Sequence, residues 1–502
     1  MLVSLFRTKP VEMSIRDTDE PAHRLRKELS ALDLVVFGVG VTIGAGIFIL
    51  TGQAAGSNAG PAITISFVVA ATACALAALC YAEFASTVPV AGSAYTFSYA
   101  TLGEFIAWAI GWDLILEFVV GASAVAVGWS GYLAGLLDGT PLAIPESVAS
   151  AESGVVNLPA ALLVVALTVV IVVGIKLSSR INQIVVAIKV AIVLFVVVAG
   201  LFYINVDNYS PFVPPSQPAA PAEGGFLDVP LIQSILGIEP AVYGIGGVFA
   251  AAALVFFAFI GFDVVATTAE ETKRPQRDVP IGILGALGIC TLLYMLVALV
   301  ITGMRSYTEI DPNDAAPLAS AFTAVGRPGL ADVISFGACI GLIVVVMILL
   351  LGQSRVGFAM ARDRLLPPVL ATVHPRYGTP FVISALTGLV VALLAAFVPL
   401  SELAELVNIG TLFAFIVVSL GVIVLRRTRP DLPRAFRTPL VPWVPILSVL
   451  ASFWLMLNLD GFTWVRFVVW MVIGAVIYFT YSRSRSRLNA TADTTPPRGA
   501  AP

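Results

Sequence analysis

Residues 39–52 read VGVTIGAGIFILTG, and four of them, Gly40, Gly44, Gly46 and Gly52, are glycines inside the first long apolar run of the chain. Glycine costs about 1 kcal/mol relative to alanine in a helix interior, so such a cluster needs a physical reason. One reason is close packing of membrane helices, where small residues let backbones approach. The other is a break in the helix at mid-membrane, which turns backbone N–H and C=O groups towards a ligand. The composition of the stretch does not separate the two.

The rest of the chain supplies the context. Of its 502 residues, 58% are hydrophobic and 12% charged, where a soluble protein carries about 25% charged residues. Uncharged runs of about 20 residues recur from end to end, each long enough to cross the hydrocarbon core. This is the composition of an all-α polytopic membrane protein. The net charge of −3 says nothing about nucleic acid, but no basic stripe interleaved with aromatics appears, so no nucleic-acid partner is expected. The first thirty residues are polar and mixed in charge, without the short apolar core of a cleavable signal. Cys74, Cys80, Cys290 and Cys339 all fall in apolar segments and read as small buried residues. His23 and His374 lie in polar stretches, and no metal-ligand spacing occurs, so neither a metal nor a cofactor is expected.

Twelve spans are expected, at 33–52, 62–87, 104–133, 158–175, 181–203, 242–268, 280–303, 330–353, 380–399, 402–425, 441–459 and 463–481. Ser30 with Asp33 forms a capping pair at the start of the first. A Pro-rich connection runs from Asn205 to Pro240, and residues 483–502 read as a disordered tail. The positive-inside rule places the N-terminus in the cytoplasm. Lys176 and Arg180, then Lys273, Arg274 and Arg277, then Arg355, Arg362, Arg364 and Arg376, and finally the cluster from Arg426 to Arg437, all fall on the inner side. The outer loops keep Arg305, Arg327 and Arg466. Both termini are then cytoplasmic, and the first and sixth spans run in opposite directions, as inverted repeats of five helices require. The resulting divisions are a cytoplasmic segment 1–29, a first repeat 30–203, an extracellular loop 204–240, a second repeat 241–425, a basic loop 426–440, two further helices in 441–482, and the tail.

The sixth span supplies the counterpart of the glycine stretch. Residues 256–263 read FFAFIGFD, placing Gly261 beside Asp263 in the middle of an apolar helix. If the helix breaks near Gly261, Asp263 begins the inner half-helix, where a carboxylate caps exposed N–H groups and meets the positive end of the dipole. Interrupted segments at matching positions of two halves point to a transporter's binding site. The broken-helix reading of residues 39–52 is therefore preferred.

Lys189 is the most informative ionisable residue, about 12 Å along the fifth span from its inner end. Either it snorkels to the interface, or it faces the bundle interior and gains and loses a proton. The two turns it would have to snorkel favour the interior. Asp113 and Glu117 share a face of the third span at i, i+4. Asp113 sits near enough the inner end to be solvated, whereas Glu117, deeper, either ties helices together or lines a substrate cavity. Glu83, and Glu270 with Glu271, read as structural helix-end charges.

The chain resembles the amino acid–polyamine–organocation superfamily, and within it the cationic amino acid transporter family and its bacterial relatives. The matching stretches are LDLVVFGVG (32–40), GAGIF (44–48), YAEF (81–84), PVAGSAY (89–95) and GWDLILE (111–117). Further matches are residues 257–263, GQSR (352–355), MARDRLLP (360–367), NIGTLFAF (408–415) and RAFRTPLVP (434–442). Mammalian members have two further helices, so the twelve-span bacterial branch is the closer match.

The resemblance implies a leucine-transporter-like fold, a 5+5 inverted repeat with helices one and six broken and two C-terminal helices added. It implies a substrate carboxylate docked on N–H groups of Ile43, Gly44, Ala45, Gly46 and Ile47. The substrate ammonium would be received by carbonyls of Val41, Thr42, Phe257, Ala258 and Ile260. Phe257 or Phe259 would act as a gate, Met347 as a wall of the side-chain pocket, and Lys189 as the proton-coupling lysine. A sodium site common in broken-helix transporters takes hydroxyls from helix eight, yet residues 336–353 contain no serine or threonine. The expected activity is import of L-amino acids across the plasma membrane by alternating access with a proton as co-substrate, by a monomer in contact with membrane lipid. An amino acid or polyamine exchanger without net proton coupling, and a receptor that keeps the transport fold, are the alternatives. The nameable pocket residues are mostly apolar and point to small or medium neutral substrates, while Glu117 leaves room for cationic ones.

Overall fold

The structure is a computed structural model that describes residues 29–87, 93–151, 154–174, 179–218, 227–239, 241–268 and 272–486. His23 and the rest of the segment before Leu29, residues 89–92 of the PVAGSAY motif, Lys176, Glu270, Glu271, part of the Pro-rich connection and the tail from residue 487 lie outside the described residues, as does the Arg180 side chain. Among the described residues the regular elements are helical apart from a two-residue antiparallel pair, β1 (Gln217–Pro218) in the Pro-rich connection with β2 (Ala241–Val242) just after it.

The first span is two helices. α1 (Ala31–Thr42) opens with the expected capping box, the Ser30 N–H donating to the Asp33 carboxylate at 2.9 Å and the Asp33 N–H to Ser30 Oγ at 3.4 Å. It ends where Ile43 turns extended (φ −70°, ψ 96°). The chain re-enters helix at Gly46 and continues to residue 59 (α2), with wide π-type turns over Gly46–Leu50 and Ala55–Ala59. The expected end at 52 is too early: these turns carry the helix two further turns. A 3-10 turn at Gly60–Ala62 then leads into α3 (Ile63–Thr87).

A short helix, α4 (Ser93–Thr101), precedes α5 (Glu104–Leu137), α6 (Leu158–Val173) and α7 (Ser179–Gly200). The sixth span is again two pieces. α8 (Gly244–Val255) runs into a 3-10 turn over Phe256–Phe259, Ile260 turns extended (ψ 133°), Gly261 takes φ +115°, and α9 (Val264–Thr267) follows. A φ of +115° is a conformation open to glycine and strained for any L side chain, which is why the break falls there.

Beyond it lie α10 (Pro275–Met304), α11 (Pro328–Arg362), α12 (Phe381–Phe397), α13 (Leu400–Thr428), α14 (Trp443–Leu457) and α15 (Gly461–Ile477). α11 is longer than expected, so Arg355 and Arg362 stand on the helix rather than in a loop. Helix also continues past α15 through Arg483–Arg485, where the tail was expected to begin. Among the described residues, eight helical segments are long and apolar enough to cross a membrane, and four shorter apolar helices, α1, α6, α12 and α14, accompany them.

Small residues set the closest approaches. A Cβ on Gly46 would run into the Ala258 backbone, and one on Gly261 would lie 2.7 Å from Val41 Cγ1, so the two breaks cross in direct contact. Gly38 and Gly282 likewise admit α1 against α10. The glycines of residues 39–52 thus serve both packing and the break.

At the arginine-rich end, a buried Glu83 on α3 joins three arms. It accepts from Arg426 Nε (2.9 Å) and Nη2 (2.7 Å) on α13 and from the Thr438 N–H (2.8 Å), while Arg434 Nε lies 3.4 Å away. Arg434 in turn donates to the carbonyls of Leu425, Arg429 and Leu432, closing the end of α13. Residues 434–438 thus fold back onto α3 because one carboxylate accepts from Arg426 and the Thr438 N–H and stands within ion-pair distance of Arg434. Glu83→Ala strands Arg434, which is 5% exposed. Removing one partner of a buried pair costs about 3–5 kcal/mol, and the expected outcome is a clearly lower melting temperature in detergent, with an unchanged one overturning this role. Gly46→Ala is expected to lower it as well, because the Cβ has no space at the crossing.

Candidate functional site

The crossing of the two breaks leaves a cavity of about 30 Å³, room for about two waters. Val41, Thr42, Gly44, Ala45 and Gly46 line one side; Phe257, Ile260, Gly261 and Val264 line the other. The remaining wall comes from α5 (Glu117, Phe118, Gly121, Val125), α11 (Val345, Leu349) and α13 (Val407).

Backbone groups at the first break divide into satisfied and free. The Ile43 N–H donates to the Val39 carbonyl at 2.9 Å, so Ile43 does not offer the N–H expected of it; the last turn of α1 reaches one residue further than its helical dihedrals. For the N–H groups of Gly44, Ala45, Gly46 and Ile47 no protein acceptor is found among the described residues. They are the orphan donors of a helix start, where the macrodipole favours an anion. The Thr42 hydroxyl, on the lining, is also without a partner.

The carbonyls at the end of α1 are the orphan acceptors of a helix terminus. Lys189 Nζ, on α7 and fully buried, donates to the carbonyls of Gly40 and Ile43, the latter at 2.9 Å. It does not snorkel. Tyr294 on α10 donates to the Thr42 carbonyl at 2.8 Å, so that carbonyl, expected to receive an ammonium, already has one donor. No donor to the Val41 carbonyl is found among the described residues. At the second break, the Phe257 carbonyl accepts the Ile260 N–H at 3.2 Å. Ala258 packs against Gly46 and is absent from the lining.

α7 can come this close because its neighbours yield space. A Cβ on Gly40 would strike Val186, one on Gly341 of α11 would lie 2.7 Å from Lys189 Cγ, and one on Gly337 would strike Ile192. Val186, Lys189 and Ile192 therefore lie in a trough of glycines on two sides.

Several assigned side chains fall elsewhere. Phe259 is fully buried between Phe67 and Tyr294, with ring centroids 6.2 and 5.3 Å away, and does not reach the cavity. Met347 is not on the lining; Val345 and Leu349 are. At about 100° per residue, position 347 lies on the far side of α11 from both. Glu117 lines the cavity, with the Thr411 hydroxyl beside it. Asp113 is fully buried rather than solvated, and neither carboxyl oxygen has a hydrogen-bond partner among the described residues. Asp263 precedes α9 but makes no side-chain cap, and its Oδ1 is likewise unpartnered. Phe118, Gly121, Val125, Val345, Leu349 and Val407 were missed. The spacing 117, 121, 125 on one helical face could have found Gly121 and Val125; the unbroken apolar run of α11 carries no phase from which to find Val345 and Leu349.

The sequence pattern of the amino acid permease family matches residues 29–479. A branched-chain amino acid permease, BcaP, of Bacillus subtilis (strain 168) is 47% identical over 97% of this chain and 99% of its own. A methylthioribose transporter of the same organism is 45% identical over the same shares. A vacuolar cationic amino acid transporter 4 of Arabidopsis thaliana is 33% identical over 97% of this chain and 96% of its own. A pattern that covers most of the chain and two interrupted helices crossing at a cavity lead to one assignment. The chain belongs to the amino acid permease family, a family of membrane transporters rather than enzymes.

Proposed function

We propose that the protein imports L-amino acids across the cytoplasmic membrane by alternating access, coupled to proton entry. The observation that carries this reading is the buried clasp of Lys189 on the carbonyls of Gly40 and Ile43. A charged ammonium there faces the negative end of the α1 dipole and makes charge-assisted hydrogen bonds. A neutral amine loses the charge–dipole attraction and frees α1 to move relative to α7. Proton occupancy and the position of α1, which borders the cavity, are linked in this way.

The substrate is read onto the same backbone. Its carboxylate takes the free N–H groups of Gly44, Ala45, Gly46 and Ile47, and its ammonium the carbonyls of Val41 and Ile260. The cavity holds less than an amino acid, so an opening of the walls accompanies binding, with Phe257 as the lining aromatic beside the second break.

The architecture proposed is twelve spans, the first ten forming inverted repeats over 30–203 and 241–425, with α14 and α15 added and both termini cytoplasmic. The breaks in the first and sixth spans support it, and so does the packing: α3 packs on α10, α5 on α11 and α6 on α12. These pair the second, third and fourth spans with the seventh, eighth and ninth, their counterparts in the other repeat. The monomer contains the whole site.

A second reading has its own support in the methylthioribose transporter among the relatives: an uncharged thio-sugar as substrate. In proteoliposomes with an inward proton gradient, wild-type protein is expected to accumulate labelled leucine. Lys189→Met is expected to lose at least tenfold of that accumulation while retaining leucine counterflow, and full accumulation by the variant would sink the coupling role. Saturable uptake of labelled methylthioribose, unaffected by any of the twenty amino acids, would select the second reading.

A further inference from the structure

Helix α5 carries five glycines, and close packing accounts for three of them. A Cβ on Gly111 would lie 2.7 Å from Met360 Sδ, one on Gly128 would strike Ile49, and one on Gly131 would strike Ala315. A side chain at any of these three would require its neighbours to shift. Gly135, near the end of the helix, faces open space. Gly121 is buried in mid-helix, yet its nearest would-be contacts are at ordinary van der Waals distance, Leu349 Cδ1 at 3.7 Å and Val407 Cγ2 at 3.9 Å. Nothing in the packing requires a glycine there, and alanine is the better helix former.

What Gly121 does border is the cavity. Glu117, Gly121 and Val125 follow one another at i, i+4 and i+8 along the lining face of α5, and Leu349 and Val407 face the gap from two other helices. The notch left by the missing Cβ is walled by aliphatic groups. Resting on the transporter reading above, we infer that Gly121 determines substrate size: it leaves the space that admits the side chain of a branched aliphatic amino acid, closed on the far side by Leu349 and Val407. A methyl group at position 121 fills that space without moving the helix. Enlarging the opposite wall at Val407 restores it.

The test is a series of side chains. Rates of labelled alanine, valine, leucine and phenylalanine uptake are measured in proteoliposomes for wild type, Gly121→Ala, Val407→Ala and the double variant. A methylene in a tight apolar pocket is worth about tenfold or more in selectivity. Gly121→Ala is therefore expected to lower the leucine-to-alanine ratio of Vmax/KM about tenfold. Val407→Ala is expected to raise the phenylalanine-to-leucine ratio, and the double variant to recover much of the lost leucine preference. If Gly121→Ala shifts all four substrates by one common factor, or none of them, the inference fails while the transporter reading stands. If wild type takes up none of the four, the amino acid reading of the site has failed. Thermal unfolding of each variant in detergent separates a lost site from a lost fold, and Gly121→Ala is expected to melt no lower than wild type.

Discussion

The bond from Lys189 to the end of α1 is the constraint on which the rest of the site depends. A helix that stops in the middle of an apolar bundle leaves carbonyls with no water to receive, and each unpaired group there carries a heavy desolvation cost. Lys189 takes those of Gly40 and Ile43, and Tyr294 takes that of Thr42. With its acceptors held from two other helices, the break is stable enough for the donors beyond it, at Gly44 to Ile47, to remain open. The same reasoning runs the other way. A lysine buried among apolar side chains needs acceptors, and a helix terminus supplies both carbonyls and the negative end of a dipole.

Close approach makes the clasp possible. The trough of Gly40, Gly337 and Gly341 around α7 brings the ammonium to the α1 backbone, and the contact of Gly46 with Ala258 brings the second break against the first. The carboxylates are distributed differently. Glu83 is surrounded by arginine and holds the arginine-rich end together, whereas Asp113 and Asp263 are buried with unpartnered oxygens close to the lining. One set of acids is structural by virtue of its partners. The other lies where the bundle leaves polar groups unanswered, beside the place where a polar substrate is proposed to bind.

Much of this was legible in the residues. Ser30 and Asp33 announced the first helix, and glycines at 44 and 46 with Gly261 and Asp263 announced two breaks in opposite halves. Lys189 stood out because an ion in an apolar run has few ways to exist. The lining was read less well. Phe259 and Met347 were placed in the pocket and belong to the core, because a helix that is apolar all round gives no sign of which face turns inward. Asp113 was expected to meet solvent and does not; α13 covers it, with Gly410 packed against its carboxylate.

Composition and the position of two interrupted helices were determined by the sequence alone, because each follows from local chemistry. Whether the glycines of residues 39–52 serve packing or a broken helix was not, and the answer is both. That, the partner of Lys189, the loss of Ile43 as a free N–H and the notch at Gly121 were decided only by tertiary structure. The physical reason is the same in each case: which orphan backbone groups are satisfied, and where a missing Cβ leaves space, depend on side chains brought from distant helices, and an apolar helix carries no periodic signal that says which neighbours those are.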